Sequence, residues 1–387
     1  MNKLKWRKAW FQVHKWIGLL LAVLIIPISL TGAALVWHDA LDRAVNPSRY
    51  AISGQTLLPL DRYVAAARTR IAGGDRIANL VLPEDGDGPV TVTVAPASPS
   101  ATTPGAKPRG GPPPRTMIYL DPPSARVLDV ADSRTGLVRT MHVIHGSLMV
   151  PGVGRSIVGW IGVAMMLSSF TGLWLWWPSV GRWARGLRWR RHRNTDTNLH
   201  YLTGFWVALP LFVLSLTGAW ISFPAFFGAL VGEGARGPGG PAGVRAAAMR
   251  ARPLDRPALP LARVVALAKP LASEARLRTI VWPTDLKADW TVSYDTQPMR
   301  VVTVADDSGV AALERSRGGV GVARWMRRIH DGTDMGWLWQ AIIFAGGVIP
   351  ALLGVTGVIM WWRARGWKAD LAARQRAKRA GVAQVNA

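Results

Sequence analysis

The chain has 387 residues and no cysteine, which excludes disulfides, iron–sulfur clusters and thiolate metal sites. Its 47 Lys and Arg outnumber 23 Asp and Glu, for a net charge of +24, a balance that suits a nucleic-acid binder. But 49% of residues are hydrophobic, 20 are Trp, and the apolar ones lie in long blocks, so membrane lipid accounts for the charge and no nucleic acid is expected as a partner.

Residues 1–37 form a basic head and a first apolar span, 16–37, long enough for the roughly 20 residues that cross a bilayer. Basic residues before an apolar core also mark a signal peptide, but the segment recurs later in the chain and is read as an anchor. Residues 38–153 form the first long loop. Within it Leu58-Pro59-Leu60 opens a helical stretch, and β-branched runs follow at 77–82, 90–94, 117–120 and 125–130, the pattern of a small α+β module. Residues 95–115, rich in Pro, Ala, Ser and Gly, are expected to be a disordered insertion. A second span lies in 154–177, a basic loop in 178–198 and a third span in 199–223. The second long loop, 224–336, repeats the α+β pattern from Leu259-Pro260-Leu261 through runs at 277–282, 290–294 and 300–304. A fourth span at 337–362 and a basic tail at 363–387 complete the chain.

Trp16, Trp37, Trp160, Trp177, Trp337 and Trp362 stand at or near the span ends, as in an interfacial aromatic belt. Pro27, Pro210 and Pro350 interrupt spans in a way membrane helices tolerate. Segments 1–15, 178–198 and 363–387 hold 5, 6 and 7 basic residues against only Asp196 and Asp370. The positive-inside rule therefore places both termini and the middle loop in the cytoplasm and the long loops outside.

The same spacings occur twice. His14 precedes Thr31-Gly32, and His200 precedes Thr217-Gly218, by 17 residues each; Gly18 and Gly204 follow those histidines by four. His145 precedes Thr171-Gly172, and His330 precedes Thr356-Gly357, by 26 residues, with Trp176-Trp177 and Trp361-Trp362 closing the pattern. The predicted fold is thus an all-α four-helix transmembrane bundle arising from an internal duplication, with two small α+β modules in the outer loops.

Two-fold pseudosymmetry pairs His14 with His200 on the inner side and His145 with His330 on the outer side. A six-coordinate haem takes an axial nitrogen on each face, and neutral imidazole supplies it. These four residues are the candidate ligands of two haems at different depths. The competing reading, interfacial histidines solvated among headgroups, is weakened by their fourfold recurrence. A His-only metal site gains no support from a carboxylate at helical spacing. His38 and His142, whose counterparts in the other half are Pro224 and Arg327, are candidate supporting or alternative ligands on the outer side. The Thr-Gly steps offer small surfaces where helices or a flat macrocycle approach closely. His192, in the basic loop, is read as solvated.

Gly232-Glu233-Gly234-Ala235-Arg236-Gly237 matches GxGxxG but follows a membrane helix, and is read as a loop. The basic run 182–193, with Trp183 and Trp189, is assigned to lipid phosphate contact. No Ser/His/Asp set and no His-Glu-x-x-His motif is found.

With these residues the chain resembles the PepSY-associated transmembrane family, which includes bacterial iron-regulated membrane proteins and ferric-siderophore reductases. The resemblance is carried by His14-Lys15-Trp16-Ile17-Gly18 with Leu30-Thr31-Gly32. It is carried equally by Met141-His142-Val143-Ile144-His145-Gly146 with Phe170-Thr171-Gly172-Leu173-Trp174-Leu175-Trp176-Trp177-Pro178. It covers nearly the whole chain apart from the proline-rich insertion and the tail. It implies two PepSY-like periplasmic modules over a haem-bearing bundle in the bacterial cytoplasmic membrane, with haem b held at His14, His200, His145 and His330. The implied substrate is a ferric siderophore, reduced by outer-sphere transfer with no acid–base residue, and the donor is a cytoplasmic reductant or quinol. The alternatives are a non-catalytic membrane protein whose modules bind a periplasmic partner, and an accessory subunit of iron or haem uptake. One departure from the pattern is Asp331 after His330, where Gly146 follows His145.

Overall fold

The computed structural model describes residues 3–84, 86–96, 114–177, 187–189, 192–232, 251–272, 274–296, 299–314 and 321–385. The insertion expected at 95–115 lies outside them except at its margins, as do most of the 178–198 loop and most of the GxGxxG segment. The helices are α1 (Lys3–Leu35), α2 (His38–Val45), α3 (Leu60–Arg68), α4 (Leu137–Ser147), α5 (Gly154–Trp176), α6 (Thr195–Ser222), α7 (Pro224–Leu230), α8 (Leu261–Ala268), α9 (Val322–Asp331) and α10 (Gly336–Val385). The chain divides into a helical unit, residues 1–36, 141–227 and 321–387, and a sheet unit, residues 37–140 and 228–320.

In the helical unit, α1, α5, α6 and the Gly336–Trp367 part of α10 are long and apolar enough to cross a membrane. Helices α1 and α6 each pack on both α5 and α10, which closes a four-helix bundle. Glycines permit the close crossings: a Cβ on Gly162 of α5 would lie 3.1 Å from the Ser215 carbonyl of α6. On Gly347 of α10 it would lie 2.8 Å from the Ser29 carbonyl of α1. Both α1 and α6 begin before their apolar runs, at Lys3 and Thr195: Lys, Arg and Gln continue α1 as readily as Leu, and Asp196 places an acidic side chain in the first turn of α6. His14 and His200 therefore sit inside helices rather than at their ends. The six Trp residues expected at the interfaces are all exposed.

The sheet unit holds β1 (Arg76–Val81), β2 (Val90–Ala95), β3 (Thr116–Leu120), β4 (Val127–Asp132), β5 (Arg276–Val281), β6 (Asp289–Asp295), β7 (Arg300–Ala305) and β8 (Ala311–Leu313). A small α+β module was expected in each outer loop; the strands of the two loops join in one sheet in the order β4-β3-β2-β1-β5-β6-β7-β8. Its middle is the antiparallel β1–β5 ladder, which pairs Asn79 with Val281, Leu80 with Ile280 and Val81 with Thr279. Left apart, each four-stranded set would expose the open edge of its first strand; pairing removes both edges and buries Leu80 and Ile280 completely. A register shift between Ile77 and Asn79 in β1 recurs between Leu277 and Thr279 in β5. Pro59 and Pro260 stand at the N-caps of α3 and α8, whose buried faces (Tyr63, Ala67, Leu261, Val264) join the strand side chains in one core. Strand β8 had no counterpart among the predicted runs.

Candidate functional site

Four imidazoles enter the helical unit, each against a Thr-Gly step. His14 of α1 meets α5, where its Nδ1 lies 3.1 Å from the Ser168 carbonyl and 3.2 Å from the Thr171 hydroxyl. His145 of α4 meets α1, with Nδ1 2.8 Å from the Ile28 carbonyl. His200 of α6 meets α10, with Nδ1 2.9 Å from the Thr356 hydroxyl. His330 of α9 meets α6, with Nδ1 3.0 Å from the Thr217 hydroxyl. The ring edge rests over the following glycine: a Cβ added there would stand 3.0, 2.6, 3.6 and 3.2 Å from Cε1 at Gly172, Gly32, Gly357 and Gly218 respectively. At Gly172, Gly32 and Gly218 the missing Cβ is what lets the ring settle onto the helix and reach a carbonyl one turn back, whereas at Gly357 a Cβ would meet the ring only at ordinary contact distance. Ser168 and Ile28 both stand four residues before their glycine, and the Leu214 and Leu353 carbonyls approach His330 and His200 in the same way.

His145 and His330 reach these positions because α4 and α9 are short separate helices, each followed by a tight corner. Leu148 and Met149 turn the first corner at φ of +50° and +59°; Gly332, Asp334 and Gly336 turn the second at +78°, +57° and +78°. Each imidazole is thus seated by its own half of the chain, and the two halves then bring the rings together in pairs. His14 and His200 have ring centroids 6.5 Å apart with planes at 86°; His145 and His330 are 5.9 Å apart at 41°. Each pair would be able to hold one haem iron through its two imidazoles. With Nδ1 occupied at every seat, Nε2 is the atom left to coordinate. Burial, with the facing His145 ring adding to it, lowers the pKa of His330 to about 3, and burial lowers that of His145. Both rings are therefore neutral near pH 7, the form that carries a free lone pair. Along α1 the pairs are well separated: His14 lies 18 residues before Gly32, about 27 Å at 1.5 Å per residue.

A cavity opens beside the His14–His200 pair, lined by Gly18, Gly204, Trp176, Phe205 and Leu353 among others. It offers about 160 Å³ to the centres of water-sized spheres, within about 990 Å³ of atom-free space that includes its open margin. Gly18 and Gly204 stand one turn beyond the two histidines on the same helix face. At Gly18 nothing lies within 4 Å of the site of a Cβ, whose absence widens the slot. Trp176 and Phe205 stack with centroids 4.1 Å apart and form an aromatic wall. The His14–His200 pair beside this mainly apolar slot is a donor set that fits b-type haem. Among the described residues, no group of three or more His, Asp or Glu side chains is placed to hold a bare metal ion.

Two other predicted histidines stay outside the pairs. His38 is exposed at the start of α2, 3.3 Å from Asp39, and His142 is exposed on α4 one turn before His145. His192 is not simply solvated: its ring lies 4.5 Å from that of Tyr201, and Asn198 bonds both its backbone N–H and its carbonyl. Gly146 and Asp331, the noted departure, both fall at exposed positions. The Thr-Gly repeats were legible, but their part was not: they receive imidazoles, and the hydroxyls of Thr171, Thr217 and Thr356 went unrecognised as hydrogen-bond partners.

The family model described as the PepSY-associated TM region matches residues 11–364, and the chain belongs to that family. No curated protein matches it.

Proposed function

We propose that this member of the PepSY-associated transmembrane family is a di-haem electron-transfer protein that reduces ferric siderophores. Its support is one observation: imidazoles from the two halves face each other in two pairs, at 6.5 and 5.9 Å, with every Nδ1 engaged elsewhere. Bound between such pairs, haem b supplies one-electron redox chemistry. His14 and His200 would hold one haem, and His145 and His330 the other. The Thr-Gly seats orient the rings, and the apolar walls around the His14–His200 slot keep water from it. Ferric chelate is the substrate; one electron converts its Fe(III) to Fe(II), which hard oxygen donors hold less tightly, so the metal is released. A quinol or cytoplasmic reductant supplies the electron. The basic segments argue for a cytoplasmic-membrane location with both termini inside. The paired seats, the matching β1 and β5 register shifts and the matching Gly162 and Gly347 contacts support an internal duplication, with the sheet made of two PepSY-like modules.

The test is the spectrum of the purified protein. Reduced α and Soret bands of b-type haem, near two per chain, are expected, with two distinct low-spin ferric signals because the ring planes differ, 86° against 41°. Ferric siderophore added to the reduced protein should reoxidise it. A haem-loaded protein that no ferric chelate reoxidises is not the reductase, and a colourless, stably folded one is better read as a binding module for a periplasmic partner.

A further inference from the structure

We infer that Thr217 and Thr356 are positioning residues that set the reduction potentials of the two haems separately; this rests on the haem reading above. Each threonine of the four seats donates its own proton one turn back along its helix. Thr31 donates to the Pro27 carbonyl at 2.6 Å, and Thr171, Thr217 and Thr356 donate to the Leu167, Val213 and Leu352 carbonyls at 2.8 Å. With that proton committed, the hydroxyl oxygen can only accept from an imidazole, so Nδ1 carries the hydrogen and Nε2 keeps its lone pair. A ring that donates strongly from Nδ1 is a more basic ligand and favours the ferric state.

The seats differ in which acceptor dominates. His330 and His200 each make their short contact to a hydroxyl, Thr217 at 3.0 Å and Thr356 at 2.9 Å, with the Leu214 and Leu353 carbonyls approaching as second acceptors. His14 divides its contact among the Ser168 carbonyl at 3.1 Å, the Thr171 hydroxyl at 3.2 Å and the Ser168 hydroxyl at 3.3 Å. His145 relies on the Ile28 carbonyl at 2.8 Å, which no side-chain substitution removes. Dependence on the hydroxyl therefore falls from Thr217 and Thr356, through Thr171, to Thr31. Thr217 acts in the His145–His330 pair and Thr356 in the His14–His200 pair, so each tunes a different haem.

The experiment is a potentiometric titration of the full-length protein, followed by visible absorbance and by the two low-spin ferric signals. It compares wild type with Thr217→Val, Thr217→Ser, Thr356→Val, Thr356→Ser and Thr31→Val. Valine keeps the shape and removes the acceptor. Thr217→Val is expected to raise the midpoint of one haem and Thr356→Val that of the other, serine to restore each, and Thr31→Val to move neither. Loss of one haem in a valine variant but not in its serine partner equally shows that the hydroxyl holds the ligand. Valine variants with full haem and unmoved midpoints overturn the inference. So does a serine variant that shifts as far as valine, which would assign the effect to methyl packing, or a Thr31→Val shift as large as the others. A colourless wild type removes the haem reading itself, a result distinguishable from unmoved potentials in a loaded protein.

Discussion

At Gly32 the space for a side chain is already taken: a Cβ there would meet His145 Cε1 at 2.6 Å and Nδ1 at 2.8 Å. At Gly357 the corresponding contact with His200 is 3.6 Å, ordinary van der Waals distance. The two glycines occupy matching places in the sequence, yet their substitutions should differ. On the proposed di-haem reading, Gly32→Ala is expected to push His145 off its seat and lower the haem content of that pair, whereas Gly357→Ala keeps near-normal content; haem per chain measures both, and equal losses would contradict the seat geometry. A second single residue governs the sheet unit. Arg49, only 9% exposed, donates to both oxygens of Asp42 at 2.9 and 2.8 Å and to Asp129 at 3.1 Å, with its guanidinium 4.3 Å from the Tyr119 ring. Tyr50 adds a bond to Asp42 at 2.7 Å. Arg49→Ala would leave two partly buried carboxylates without their cation, so it is expected to destabilise the unit by about 3–5 kcal/mol. Chemical unfolding followed by the tryptophan signal of the sheet unit reads this, and a loss below about 1 kcal/mol would mean the cluster is solvated like a surface pair.

Among the elements, α4 and α9 decide whether His145 and His330 reach the bundle at all. Gly332 ends α9 in the left-handed region at φ +78°, its N–H bonded to the Arg328 carbonyl at 2.9 Å. A Cβ there would also come within 3.0 Å of Ile343. Gly332→Ala should cost roughly 1–2 kcal/mol in backbone strain and shift His330, so the ferric signal of the His145–His330 pair weakens while that of His14–His200 stays. Gly146→Ala on α4, where nothing lies within 4 Å, is the matched control and leaves both signals intact. The four spans were legible in the sequence because twenty apolar residues in a row have few other uses. The corner after α4 was not, since Leu148 and Met149 adopt positive φ and neither residue type signals it. Joining β1 to β5 pairs residues about 200 positions apart, which no local pattern encodes. The same limit applies to the Thr-Gly steps: their spacing recurs along the chain, but only tertiary packing shows that an imidazole fills the place of the missing Cβ.

Across the whole chain, each half seats its own imidazoles, yet neither half alone supplies both rings of a pair. The pairing of His14 with His200 and of His145 with His330 is made only when the halves close around one another in the helical unit. A ligand that needs both rings binds the closed bundle and not the unfolded chain, so its binding energy adds to the stability of that unit. At free haem near 100 times the dissociation constant, this amounts to about 2.7 kcal/mol per site. The sheet unit keeps its own core of buried aliphatic and aromatic side chains. Protein produced with haem synthesis restricted should therefore melt earlier than the loaded form in one calorimetric transition, that of the helical unit, while the transition of the sheet unit stays in place. Both samples must be heated at one scan rate, since membrane proteins often unfold irreversibly and an apparent melting temperature then moves with the rate. His14→Ala should bring the loaded form part of the way toward the haem-poor one, because it removes one ring of one pair and leaves the other pair whole. If the loaded and haem-poor proteins melt together in both transitions, the paired rings do not join the halves through a shared ligand.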